Sequence, residues 1–228
     1  MDKKGSKLSV ALGITFVWFT TQFGGGFASG AQLKSYFIRY GIYCLFTCIG
    51  AQAICAVYNA YIAYFAKKHG TYDYRSFNNA FYGKFSKIFS PLFEIVYIFV
   101  LLVVPAVAFS TGGSTLNTLT GVPYMLCTAI IGVFIFLVAI FGTAIVRKVA
   151  TLLSILIVAG LLVVFIPNII VQWDSVTAGI ASLNAVDMPI GPALWSMLVY
   201  AAFQIASSPA IHSQHSEALQ EPKDSVMT

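Results

Sequence analysis

The sequence predicts an all-α polytopic membrane protein with six transmembrane segments, and three observations carry that prediction. Of its 228 residues, 58% are hydrophobic and only 9% are charged, whereas a soluble domain is nearer ~25% charged. Apolar runs of roughly 20 residues, the length that crosses a bilayer, recur along the chain. Basic residues gather in alternate connections. Soluble enzymes, disulfide scaffolds and disordered chains are excluded by this composition. Helices are expected because backbone in lipid must be satisfied internally, and no alternating barrel-strand pattern is present.

The first segment runs from about Leu8 to Tyr40 and is interrupted at Gly24 to Gly30. The second covers about Gly41 to Ala66 and ends at Lys67-Lys68. The third, about Pro91 to Thr111, opens on Ser90-Pro91, an N-cap followed by proline in the first helical position. Pro105 inside it predicts a kink. The fourth runs from about Pro123 to Thr143 and the fifth from about Val149 to Val171. The sixth follows Pro189-Ile190-Gly191-Pro192 and loses its apolar character at Ser207-Ser208-Pro209. The whole chain, 1–228, reads as one transmembrane domain: 8–171, then 190–212, then a cytoplasmic tail or lead-in at 213–228.

Charge sets the orientation. Lys3, Lys4, Lys7, Lys67, Lys68, Arg75, Lys84, Lys87, Arg147, Lys148 and Lys223 fall on one side, against Lys34 and Arg39 on the other. Cytoplasmic loops carry the basic excess, so both termini are expected in the cytoplasm. The net charge of +5 therefore needs no nucleic acid, and no nucleic-acid motif occurs. Lys3 to Gly30 shares the plan of a signal peptide, but the alternation of charge counts the first segment as a crossing. The connection from Lys68 to Ile88 interleaves Tyr72, Tyr74, Phe77, Phe81, Tyr82 and Phe85 with basic residues, which predicts an amphipathic helix on an anionic leaflet.

Few polar groups lie within the spans. Glu94 is read two ways, as a carboxylate on the positive end of a helix dipole or as an ion-coupling residue. Tyr97 is either a packed aromatic or a gate. Cys44, Cys48, Cys55 and Cys127 read as buried thiols. His212 and His215 have ligand chemistry but no third partner, so a solvated helix end is the alternative. No nucleophile–base set is present, so no enzyme is expected, nor any cofactor beyond a coupling ion.

The first segment is the informative one. Successive glycines at Gly24, Gly25 and Gly26, then Phe27, Ala28, Ser29 and Gly30, cost about 1 kcal/mol per glycine relative to alanine in a helix. Unwound backbone at membrane depth must line a cavity or be buried in protein. Close packing through Gly26-x-x-x-Gly30 is the alternative. Thr20, Thr21 and Gln22 precede the interruption. The sixth segment is broken in the same manner around Gln204, Ser207 and Ser208, and a pair of broken segments points to a transporter binding site. Expected substrate contacts are Gly24 to Gly30 through their backbone N–H groups, with Tyr200, Phe203, Gln204, Ser207 and Ser208 on the facing wall. Thr21, Gln22 and Glu94 are the expected ion-coupling residues.

Gly24 to Gly30, followed by Tyr36-Phe37 and Tyr40-Gly41, resembles the signature of the YkvI-like family of bacterial inner-membrane proteins. That family belongs with the amino acid–polyamine–organocation superfamily and its LeuT-type fold. The resemblance implies two inverted five-helix repeats and a site between broken helices one and six. The chain would then carry the first repeat, plus the broken first helix of the second, as the N-terminal part of a ten-helix protein. It further implies a multi-pass bacterial inner-membrane protein that carries a small organic solute, an amino acid or amine, by alternating access coupled to sodium ions or protons. Where the family signature has an acidic residue just after Ala-Ser-Gly, this chain has Ala31-Gln32. Two other readings remain. One is a membrane receptor or assembly subunit reusing the fold. The other is a divalent-metal carrier, which the absence of any Asp between Asp2 and Asp73 disfavours.

Overall fold

In the computed structural model the described residues are 7–24, 27, 29–184 and 188–228, without the side chains of Thr143 and Ala144. Lys3 and Lys4, which contribute to the expected orientation, lie outside them. Among the described residues the chain is all-helical, without strands. The helices are α1 (Lys7–Gln22), α2 (Ala31–Tyr36), α3 (Cys44–His69), α4 (Tyr74–Tyr82), α5 (Ser86–Thr120), α6 (Tyr124–Ile140), α7 (Thr143–Val171), α8 (Trp173–Asn184), α9 (Ile190–Ile205) and α10 (Ser208–His215). Three stretches, Ile38–His69, Tyr74–Thr120 and Ile145–Val171, are long and apolar enough to cross a membrane. The α9–α10 pair, bent by 49°, makes a fourth if it is one broken span.

The first segment breaks where the glycines predict. Helix α1 ends at Gln22, Phe23 and Gly24 lie outside it, and α2 begins at Ala31. Gly30 sits at the entry to α2 with φ of 75°, a left-handed conformation that disfavours side chains. A 3-10 stretch, Ile38–Tyr43, then turns the chain at Gly41 (φ 65°, ψ −141°), so regular α-helix begins at Cys44. Gly70 caps α3, and Lys67, Lys68 and His69 occupy its last turn, where cations complement the helix dipole.

Helix α3 is the spine. One face carries Cys44, Thr47, Ala51, Cys55, Asn59, Ile62, Ala63 and Ala66, all buried and mostly small. Against its first half packs α9, with Tyr200 and Ala201 in the same cluster as Ala51 and Cys55. The Cys55 thiol donates weakly to the Ala201 carbonyl at 3.9 Å. Against its second half lie α10, α4 and residues 216–228. That last segment folds back as two 3-10 turns, Ser216–Ala218 and Pro222–Met227. It places Leu219 between Ile14 and Ala63. Lys7 bridges to Glu221 at 2.8 Å and Asp224 at 3.3 Å.

Two local expectations change. Ser90-Pro91 does not start a helix: α5 begins at Ser86 and runs through Pro91 and Pro105 to Thr120 as one helix. The Ser90 hydroxyl donates to Asn79 Oδ1 at 2.9 Å instead of capping. The amphipathic α4 turns its aromatic face onto protein, with Phe77 and Phe81 against Phe65, Ile62 and Ala66 of α3. Asp73 caps α4, accepting from the N–H groups of Arg75 at 3.1 Å and Ser76 at 2.9 Å.

Helices α5 and α6 form a hairpin over Gly121, and their contact depends on Gly113. A Cβ there would meet the Thr128 hydroxyl and stand 3.3 Å from the Thr128 Cα. Helix α7 packs on α1, with the Ser154 hydroxyl donating to the Phe16 carbonyl at 3.2 Å. The outer faces of α5, α6 and α7 carry long rows of exposed apolar side chains, as lipid contact requires.

Gly113→Leu should cost about 1–3 kcal/mol of stability by forcing α6 away, read as a lower unfolding temperature in detergent, whereas Gly132→Ala, whose Cβ would meet nothing, should not. The Ser76 hydroxyl and N–H hold the Asp73 carboxyl below its ordinary value. That stabilisation is complete above the ordinary value of about 3.9 and is lost as pH falls through the lowered native one. Amide-exchange protection at Arg75 and Ser76 should therefore fall in that acid range and become flat with pH in Asp73→Asn.

Candidate functional site

The two breaks meet at one cavity. A space of about 430 Å³ is lined from α1 by Thr20, Thr21 and Gln22, from the break by Gly24, from α2 by Gln32 and from the α9–α10 bend by Phe203, Gln204 and Ser207. Tyr97 and an aliphatic wall from Val100 to Ala108 on α5 close it. The bend itself comes at Ala206-Ser207, where α9 ends and Pro209 opens α10 near its N-terminus, a position that needs no proline N–H.

The polar chemistry is rich in oxygen acceptors. Thr20 donates its hydroxyl hydrogen to the Phe16 carbonyl at 3.0 Å, and Thr21 to the Trp18 carbonyl at 2.7 Å. Both hydroxyls therefore keep lone pairs to offer. Gln204 donates from Nε2 to the Tyr200 hydroxyl at 2.7 Å. Gln22 Oε1 and Gln32 Oε1 are buried and have no hydrogen-bond partner. A buried amide oxygen left unpaired costs about 1–3 kcal/mol, which a ligand carrying N–H groups or a bound cation would recover. Among the described residues, no Asp, Glu, Lys, Arg or His lines this cavity.

The residues expected at the site divide as follows. Gly24, Thr21, Gln22, Phe203, Gln204 and Ser207 line the cavity. Gly25, Gly26 and Ala28 lie outside the described residues. Phe27 packs at a tilt against Phe23, with ring centroids 5.0 Å apart, and neither it, Ser29 nor Gly30 is among the lining groups. The N–H groups of Phe27 and Gly30 already donate to the carbonyls of Gly24 and Phe27 at 3.0 and 2.9 Å, so these two are not open to a carboxylate. Tyr200 is fully buried between Tyr36 and Phe37 rather than on the wall. Ser208 is likewise buried and not among the lining groups.

Glu94 stands apart. It accepts from Arg75 Nη2 at 3.0 Å and from the Tyr74 hydroxyl at 3.3 Å, and it faces a different cavity. The turn of α5 between them separates it from the acceptor cluster, because Tyr97 lines the first cavity and Glu94 the second. His212 and His215 are buried in α10 rather than solvated. Among the described residues, no group of three or more His, Cys, Asp and Glu side chains is placed to hold a metal ion. Cys44, Cys48, Cys55 and Cys127 are free thiols.

Beyond the aliphatic wall of α5 and Ile211, sequence reading also did not select the lining residue Gln32. Its signal was its place, immediately after Ala-Ser-Gly and its following Ala31, in the stretch where the resembled signature carries an acid. Tyr97 was noted as an aromatic on the third segment, and its ring lies on the wall, 5.7 Å from that of Phe93. Comparison with known protein families, with curated proteins and with solved structures found no match.

Proposed function

We propose that the chain forms the substrate site of an ion-coupled secondary transporter for a small organic solute, an amino acid or amine. The observation that carries the reading is the cavity shared by the two helix breaks, lined on one side by Thr20 to Gly24 and on the other by Phe203, Gln204 and Ser207. Broken helices at membrane depth are tolerated where they line such a space.

Counting the α1–α2 pair and the 17-residue apolar α6 as further crossings gives six spans. In that arrangement the broken first and sixth spans correspond to the LeuT-type design that the Gly24 to Gly41 signature resembles, in a bacterial inner membrane with both termini cytoplasmic. The solute's ammonium group would accept the company of Gln22, Gln32 and the threonine lone pairs. Its apolar part would lie along the α5 wall. Neutral oxygen ligands suit a monovalent cation better than a divalent one, which prefers carboxylates. That favours sodium as the coupling ion and leaves Glu94 to its pairing with Arg75. Rocking of the broken helices about the bends would alternate access.

The test is equilibrium binding of a panel of radiolabelled amino acids and amines to the purified chain, in sodium and in choline buffer. Saturable, sodium-dependent binding of one member is expected, weakened about tenfold or more in Gln22→Leu and in Gln204→Leu, because each removes a buried hydrogen-bonding group. No saturable binding by the unaltered chain, or unchanged affinity in both folded variants, would overturn the reading.

A further inference from the structure

A second cavity, of about 480 Å³, opens where α4 meets the start of α5. Two cations line it, Arg75 and Lys87, against one carboxylate, Glu94. Arg75 uses one of its five guanidinium N–H donors on Glu94, so four remain. Lys87 has no ion pair among the described residues. Glu94 is already matched by Arg75 and by the Tyr74 hydroxyl, which leaves the lysine charge uncompensated.

Further polar groups line the cavity. Asn78 lines the cavity, is 2% exposed and has an amide oxygen without a partner. Because either end of an amide can be turned inward, it offers an N–H₂ there as readily. Ser90 donates its hydroxyl to Asn79 Oδ1 at 2.9 Å, and both residues line the cavity. The first turn of α5 has no side-chain cap, and Ser86 and Lys87 of that turn line the space. The Ser86 N–H is already taken by the Gly83 carbonyl of the preceding 3-10 turn, so Ser86 contributes its hydroxyl to the lining. Beside the cavity, Phe85, Ile88 and Leu92 are each more than half exposed, forming an apolar track along α5.

We propose that this cavity binds an anionic phosphate group at the membrane boundary. Arg75 and Lys87 supply the charge, and Asn78 and the Ser86 hydroxyl supply further donors to phosphate oxygens. The apolar track is where the acyl chain of a phospholipid would run, and free phosphate presents the same head without that chain.

Native mass spectrometry of the full chain in detergent tests this, with phosphatidylglycerol competing against phosphatidylcholine. The chain should retain phosphatidylglycerol in preference. The preference should fall about tenfold in the Arg75→Gln, Lys87→Gln pair, since charge-assisted hydrogen bonds are lost, and should persist in Lys84→Gln, whose ammonium lies over the Phe85 ring and outside the cavity. Lys87 is exposed, so Lys87→Gln alone keeps the test free of misfolding. Displacement of the lipid by millimolar inorganic phosphate would identify soluble phosphate as the source, and resistance to it would identify the lipid head. Equal retention of the two lipids, or an equal loss in Lys84→Gln, would overturn the proposal.

Discussion

The small-residue face of α3 is the constraint on which the rest depends. Small residues at Ala51, Cys55, Ala63 and Ala66 let α9, α10, α4 and residues 216–228 approach its backbone closely. Between membrane helices, where lipid tails are as apolar as leucine, such close van der Waals contact replaces the hydrophobic effect as the source of association. Because α9 docks on the first half of this face and α10 on the second, the bend between them is held at a fixed height along α3. The cluster of Phe37, Tyr200 and Ala201 then brings the chain leaving α2 against α9. The Ser196 hydroxyl fastens the same contact by donating to the Tyr36 carbonyl at 2.8 Å. The first break and the second are thereby brought to one cavity by packing that involves neither of them directly.

The division of labour between packing and polarity follows from this. Tyr200 and Ser208, expected from the sequence to meet a ligand, form the buried side of the bend. Their neighbours Phe203, Gln204 and Ser207 fall on the open side. Phe203 and Ser207, four apart, share the open face, while Gln204 lies at its edge and reaches along the turn to the buried Tyr200 hydroxyl through its own hydrogen bond. The buried, unpaired amide oxygens of Gln22 and Gln32 each cost stability in this arrangement.

Much of this was legible in the sequence, and the parts that were not have physical reasons. Glycine succession and the Ser-Ser-Pro run mark both breaks, because no side-chain pattern can hide the absence of helical propensity. Hydropathy marks α3, α5 and α7 equally well. The start of α5 was displaced by a turn, because Ser90-Pro91 has the composition of a cap while Gly83 and a 3-10 turn at Gly83–Phe85 begin the helix earlier. The pairing of Glu94 with Arg75 could not be read from the sequence, because Arg75 lies 19 residues away and reaches it only through the fold of α4. Helix α8 and the docking of Leu219 were invisible for the same reason. Both depend on what they pack against, Ile38–Tyr43 in one case and α1 with α3 in the other. Gln32 could be suspected from its position but not placed, since its role is set by where α2 points after the break.

The most direct test of the central claim is the aqueous accessibility of the cavity in the reconstituted chain. With the native cysteines replaced by alanine, single cysteines at Gln22, Gln204 and Ser207 would be treated with a charged, membrane-impermeant thiol reagent added on both sides. The account predicts modification at all three positions and none at Phe134, which is exposed to lipid, or at Tyr200, which is packed inside. Labelling at Phe134 or Tyr200 as fast as at the three break positions, or no labelling at any of the three, would contradict a shared water-accessible site between the broken helices.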